Sequence, residues 1–154
     1  MNQTEKKVKR KTKKALINEI KITLNSDSAN ESLARTCIAA FASQLDPCID
    51  QLADLRCAVS EAVTNCIVHA YKEKKGKIYI NARMYSDRTV SVRITDKGCG
   101  IPDVERAMQP LFTTGSTEER CGMGFSVMES FTDGVSVSSA VGKGTSVFMT
   151  KKFE

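Results

Sequence analysis

Three short motifs follow one another in a fixed order along this chain: Glu61-Ala-Val-Thr-Asn65, then Asp96-Lys-Gly-Cys-Gly100, then Cys121-Gly-Met-Gly-Phe125. Each demands its own local structure. A carboxylate and an amide four residues apart share one face only on a helix. An acidic residue followed by two spaced glycines suits the end of a strand running into a sharp turn. A glycine pair followed by apolar residues suits the opening of another helix. The chain must therefore bring two helix segments and a strand end together, which points to an α+β architecture.

Hydrophobic periodicity supplies the remaining elements. Residues 16–24 alternate around Ile20, Ile22 and Leu24, as a strand with one buried face does. Ser26 to Asn30 offers turn and capping residues, and the apolar set Leu33, Cys37, Ile38, Phe41 and Leu45 predicts a helix over 31–45, stopped by Asp46-Pro47. A stripe from Leu52 through Leu55, Val59, Ala62, Val63, Cys66, Ile67 and Ala70 predicts a second helix over 50–71, carrying the first motif. Alternating runs at 77–85 and 89–96 read as a hairpin. Residues 103–120 read as a polar loop, 122–131 as a short helix, and 135–139 with 145–151 as a second hairpin. Helices on one face of a mixed or antiparallel sheet, a two-layer α/β sandwich, are the expected fold.

At 154 residues the chain suits one domain with a real core. The net charge of +5 is misleading until it is located: residues 1–14 carry seven basic residues against Glu5, so +6 of the +5 total lies there and the remainder sums to −1. Residues 1–15 are read as a basic, solvated tail and residues 16–154 as the single folded domain. The tail has no aromatic residues to stack on bases, so no direct nucleic-acid role is expected. No uninterrupted apolar run nears the roughly 18 residues of a membrane span, and no apolar signal region follows the basic start. The cysteines at 37, 48, 57, 66, 99 and 121 form no CxxC pair, and His69 is the only histidine. They read as reduced thiols of a cytoplasmic protein with no zinc site of the usual spacing.

The motifs have a chemistry in common. Glu61 projects beside an apolar stripe, where an unpartnered carboxylate costs several kcal/mol, so it should meet water, a cation or a substrate hydroxyl and can serve as a base. Asn65 offers a neutral oxygen suited to Mg²⁺, whose other ligands are usually water and phosphate oxygens. The Asp96 carboxylate can accept from the N6 amino group of adenine, where guanine presents an acceptor. Gly122 and Gly124 let backbone N–H groups approach a phosphate at a helix start. The preceding loop offers Thr113, Thr114, Ser116, Thr117 and Arg120 to phosphates. Arg120 is the candidate cation for the transferring phosphate. Taken singly, ExxxN also decorates ordinary helix edges, and Asp-x-Gly-x-Gly is also an ordinary turn.

In combination the motifs resemble the N box and the two glycine boxes of the Bergerat-fold ATPases, with Gly144-Thr145 matching a further nucleotide-contacting position. The resemblance is closer to one branch. Ser60-Glu-Ala-Val-Thr-Asn-Cys-Ile-Val-His-Ala-Tyr71, Pro110-Leu-Phe-Thr-Thr114 and Glu119-Arg-Cys-Gly-Met-Gly-Phe125, with Met128-Glu129 downstream, are similar to the sporulation anti-sigma-F factors over residues 17–153. That resemblance implies a serine/threonine protein kinase that binds a sigma factor as a homodimer and phosphorylates an anti-anti-sigma protein on serine, using ATP and Mg²⁺. It makes Glu61 the general base, Asn65 the magnesium ligand and Asp96 the adenine reader. Gly98, Gly100, Ile101, Thr114, Gly122, Met123, Gly124, Phe125 and Thr145 would line the nucleotide. Glu31 and Arg35 match sigma-contacting positions, although residues four apart on a helix also form plain surface ion pairs. The motifs alone leave open a plain ATPase and an ATP-dependent sequestering switch.

Overall fold

The computed structural model describes residues 13–109 and 124–154. Its order is β1 (Leu16–Asn25), α1 (Ala29–Ala42), α2 (Ile49–Asn65), β2 (Lys77–Tyr85), β3 (Thr89–Asp96), α3 (Val104–Met108), α4 (Gly124–Phe131), β4 (Gly134–Ala140) and β5 (Gly144–Lys152). The five strands form one sheet in the order β1-β2-β3-β5-β4, and every neighbouring pair is antiparallel.

Alternation along the strands decides which face is covered. Ile78, Ile80, Ala82 and Met84 of β2, Val90, Val92 and Ile94 of β3, and Val147 and Met149 of β5 are buried. Ile20, Ile22 and Leu24 of β1 and Val135 and Val137 of β4 pack against the same core. The helices lie over that face. Ile38 and Phe41 of α1, Leu55, Val59 and Val63 of α2, and Met128 of α4 complete the core. Each such side chain contributes about 1.5–3 kcal/mol on burial, enough to hold amphipathic helices that would be marginal alone.

Four element ends differ from the sequence expectation, each for a local reason. The first helix stops at Ala42 and continues as a 3₁₀ turn over Ser43–Leu45, because Asp46 adopts a left-handed conformation (φ 53°). Ser28 precedes α1 without a side-chain cap, while the Asn30 side-chain amide donates to the Asn25 carbonyl oxygen at 2.9 Å. The α2 helix ends at Asn65, and Cys66–Ala70 forms a π turn. Such widened turns occur often at functional sites. Finally, the segment after Asp103 is not all loop: α3 forms there because the Asp103 carboxylate accepts from the Arg106 backbone N–H at 3.0 Å.

The π turn carries the second motif on its back. The Ala70 carbonyl accepts from Cys99 N–H at 3.0 Å, and the Tyr71 hydroxyl donates to the Lys77 carbonyl and accepts from Lys97 N–H, both at 2.7 Å. Gly98 is required by this approach, since a Cβ there would lie 2.3 Å from the Ala70 carbonyl oxygen. Gly98→Ala is expected to cost about 1–3 kcal/mol, because backbone rather than a flexible side chain must move. A shift of the urea midpoint measures it, and an unchanged midpoint would show the turn to be looser than this packing implies.

Candidate nucleotide site

Asp96 ends β3 with its side chain on the core face, 5% exposed. One carboxylate oxygen, Oδ1, accepts from Gly98 N–H at 2.9 Å and from Thr145 N–H at 3.2 Å. The Cys66 thiol, one residue past the first motif, also hydrogen-bonds this carboxylate. Burial pushes the Asp96 carboxyl above its ordinary value, against the opposing pull of the Gly98, Cys66 and Thr145 donors. Burial first, and then the Asp96 charge, raises the Cys66 thiol well above its usual range, so it remains protonated and a donor.

β5 enters the site through Gly144, whose φ of +104° suits only glycine and whose Cβ position lies 2.1 Å from the Asp96 carbonyl oxygen. That contact lets Thr145 reach the carboxylate. Ser139 on β4 fixes the same corner: its hydroxyl bonds to the Thr145 hydroxyl at 2.8 Å, pairs with the Gly144 carbonyl at 3.0 Å, and accepts from Ile101 N–H at 2.8 Å.

These elements enclose a cavity of about 470 Å³. Of the residues singled out from sequence, Asn65, Asp96, Gly100, Ile101, Gly124, Phe125 and Thr145 line it. Gly98 contributes from behind, through its N–H to Asp96. Thr114, Arg120, Gly122 and Met123 lie outside the described residues, as do Thr113, Ser116, Thr117 and residues 1–12 of the basic tail. Glu61 lines a second, neighbouring depression of about 300 Å³ together with Arg35, Arg56 and Ser60. The α2 helix thus carries Ser60 and Glu61 on one depression, and Ala62 and Asn65 on the other. Glu31 pairs with Arg35 at 3.7 Å and accepts a hydrogen bond from the Ser60 hydroxyl, which ties α1 to α2 beside Glu61.

Sequence reasoning passed over Cys66, Tyr71, Ser139 and two cavity-lining cations, Lys72 and Arg106. Tyr71 closes the Ser60–Tyr71 stretch and Cys66 follows Asn65 directly, so their position was a usable signal. Ser139 gave none, being one serine in a strand of alternating small residues.

The cavity suits a purine nucleotide on three observations. The buried Asp96 carboxylate faces it, Gly100 and Gly124 line it without side chains, and Gly124 and Phe125, at the described start of α4, stand at its wall. Among the described residues no group of three or more His, Cys, Asp or Glu could hold a metal ion. Asn65 would offer one neutral oxygen to a Mg²⁺ carried chiefly by phosphates and water.

Asp96 also sets a sign for pH dependence. Because its folded value is raised, the folded chain holds that proton to higher pH than the unfolded chain does. Its contribution to stability is complete below the ordinary aspartate value and is lost as pH rises through the folded value. If Asp96 reads adenine, its ionised carboxylate is the stronger acceptor for the amino group. Nucleotide affinity is therefore expected to fall as pH drops through the folded Asp96 value, and calorimetric titration across the acid range measures this; a flat profile would separate Asp96 from the ligand.

Comparison with known proteins agrees with this geometry. The family model described as a histidine kinase-like ATPase domain matches residues 24–151. The anti-sigma F factor of Caldanaerobacter subterraneus subsp. tengcongensis is 56% identical over 134 residues, covering 87% of this chain and 93% of that protein. The anti-sigma F factor of Clostridium acetobutylicum is 47% identical over 138 residues, covering 90% and 96%. Among solved structures, the RsbU and RsbW domains of a Mycobacterium tuberculosis protein superpose with a TM-score of 0.64 at 19% identity, over 89% of this chain and 32% of that one. The mycobacterial sensor histidine kinase MprB superposes at 0.55 and 14% identity, over 88% and 100%. These two share the fold. No helix among the described residues is long and apolar enough to cross a membrane. With its family model spanning most of the sheet and its relatives matching nearly end to end, the chain belongs to the histidine kinase-like ATPase family, within the anti-sigma F factors.

Proposed function

We propose that this chain binds and inhibits a sporulation sigma factor, and that it phosphorylates a serine of an anti-anti-sigma protein at the expense of Mg-ATP. The observation that carries the nucleotide half is the buried Asp96 carboxylate, held by Gly98 and Thr145 at the wall of a cavity that Asn65 also lines. The partner half is supported by relatives named anti-sigma F factor at 47–56% identity over about nine-tenths of the chain.

In this reading Asp96 accepts the adenine amino group and excludes guanine. Asn65 offers its amide oxygen to Mg²⁺, and the first turn of α4 offers backbone N–H groups to phosphate. Bound Mg-ATP supplies the transferable phosphoryl group and neutralises charge on it. Glu61, one turn before Asn65, takes the proton of the acceptor serine. The second depression beside Glu61 is where such a hydroxyl would enter; Arg35 borders it, and Glu31, paired to Arg35, stands with it for the sigma factor. The resemblance to the anti-sigma-F factors further implies a cytoplasmic homodimer acting on protein partners, with neither membrane nor nucleic acid in the reaction.

The Ser60–Glu31–Arg35 chain of contacts favours one companion role. It joins the proposed sigma-contacting helix to the helix that carries the nucleotide motif, so nucleotide state can bias which partner is held.

The decisive experiment incubates the protein with γ-labelled ATP, Mg²⁺ and a candidate anti-anti-sigma protein. Label on a serine of that protein is the expected result. Label released only as free phosphate would make the chain a plain ATPase, and retention of sigma factor without any transfer would leave a sequestering module.

A further inference from the structure

The β5 strand joins the nucleotide cavity to the far end of α4. Thr145, its second residue, lines the cavity, whereas Lys151, its penultimate residue, is 9% exposed and turned toward the helices. The Lys151 ammonium donates to the Phe131 carbonyl oxygen at 2.9 Å and to Asp54 Oδ2 at 3.2 Å. Phe131 is the last residue of α4, and Asp54 lies in α2. One cation therefore ties three elements together.

The location is favourable physically. A positive charge at a helix C-terminus meets the negative end of its macrodipole and satisfies a carbonyl that has no intrahelical donor. A nearly buried ammonium needs such partners, and Asp54 supplies the counter-charge. Neighbouring bonds prevent the helix end from sliding along the strand: Asp133 N–H donates to the Thr150 carbonyl at 2.8 Å, and Lys152 N–H donates to Asp133 Oδ2 at 2.5 Å.

The helix is only eight residues long, so its ends stand about 12 Å apart at 1.5 Å per residue. Phe131 at one end and Gly124 and Phe125, which line the cavity, at the other thus belong to one short helix of about two turns. The same ammonium holds α2, whose Ala62 and Asn65 line that cavity too.

We infer that Lys151 is a positioning residue for the nucleotide phosphates: by pinning the C-terminus of α4 to α2 and β5, it fixes where the first-turn N–H groups of α4 stand in the cavity. The inference rests on the nucleotide reading above. It predicts a selective effect, because Asp96 reads the base from β3 and does not depend on α4.

The test measures Mg²⁺-ADP binding by calorimetry and adenosine binding by NMR titration, on the full chain and on Lys151→Met, Lys151→Arg and Asp54→Asn. Lys151→Met should weaken ADP about tenfold, the equivalent of about 1.4 kcal/mol of lost phosphate contact. Adenosine affinity should stay within about twofold, because the Asp96 carboxylate is held by Gly98 and Thr145 and not by α4. Lys151→Arg should recover most of the ADP affinity, since it restores both a cation and a donor to Phe131. Asp54, whose side chain is 35% exposed, can be replaced without leaving a deeply buried orphan, so Asp54→Asn carries the test if Lys151→Met does not fold. Parallel loss of ADP and adenosine, or no loss of either in a folded variant, overturns the inference. A wild-type protein that binds neither ligand would instead overturn the nucleotide reading and this inference with it.

Discussion

Asp96→Asn is expected to abolish useful nucleotide binding while leaving the ligand-free protein at least as stable as before. The two effects have opposite physical origins. In the folded chain the carboxylate is 5% exposed and its ionised form is disfavoured by burial, so replacing it by a neutral amide of the same shape removes a desolvation penalty. The amide oxygen can still accept from Gly98 and Thr145 N–H, which keeps the turn and the β5 corner in place. What changes is the other arm of the side chain. Where a carboxylate oxygen could accept from the adenine amino group, an NH₂ now opposes it, donor against donor. A lost charge-assisted bond and an unsatisfied buried donor together cost about 3 kcal/mol, or roughly a hundredfold in affinity. Calorimetric titration with ADP and a thermal melt of the free protein measure the two halves. Near-normal ADP affinity would remove Asp96 from base recognition, and a large drop in melting temperature would make it structural.

The fold was legible where periodicity was strong. Both hairpins and the first strand follow from alternation, because one face of the sheet is covered and the other is not; the 77–85 and 89–96 bounds coincide with β2 and β3. Helix ends were less legible, since they depend on single conformations such as the left-handed Asp46, and on the π turn that periodicity reads as continued helix. The α3 helix escaped notice because five residues cannot show a helical period, and it exists through one Asp103 cap.

The site divides along a similar line. Glycines and acids announce themselves, since backbone approach and buried charge admit few substitutes, and Asn65, Asp96, Gly100 and Thr145 do meet at one cavity. The residues that hold them in place do not announce themselves. Ser139 and Cys66 act through hydroxyl and thiol bonds that any small residue could have replaced in the pattern, and Lys151 looks like one more charge at the end of a strand until its contacts with Asp54 and Phe131 are seen. Glu61 and Asn65 lie one helical turn apart on α2, yet they border different depressions: Asn65 lines the cavity with Phe125, and Glu61 lines the second depression with Val127.

That separation gives the Glu61 prediction its form. Under the proposed function, a base that stands beside the nucleotide cavity, and not within it, serves the incoming hydroxyl and leaves ATP affinity alone. Glu61→Gln keeps the length and one oxygen acceptor but cannot take a proton at neutral pH. Serine phosphorylation is expected to fall about 10²–10⁴-fold, the usual contribution of a positioned general base. Nucleotide affinity should stay within about threefold, because Asp96, Gly98 and Thr145 carry the base and α4 carries the phosphates. Capture of the sigma factor should persist as well, since Ser60, Glu31 and Arg35 are themselves unchanged. Single-turnover transfer from γ-labelled ATP, run beside ADP titration and sigma pull-down, separates the three. Full transfer by Glu61→Gln would give the proton to another group. Transfer and ADP affinity lost together would make Glu61 a support of the nucleotide cavity, in which case the serine proton would have to leave to solvent or to the phosphate itself.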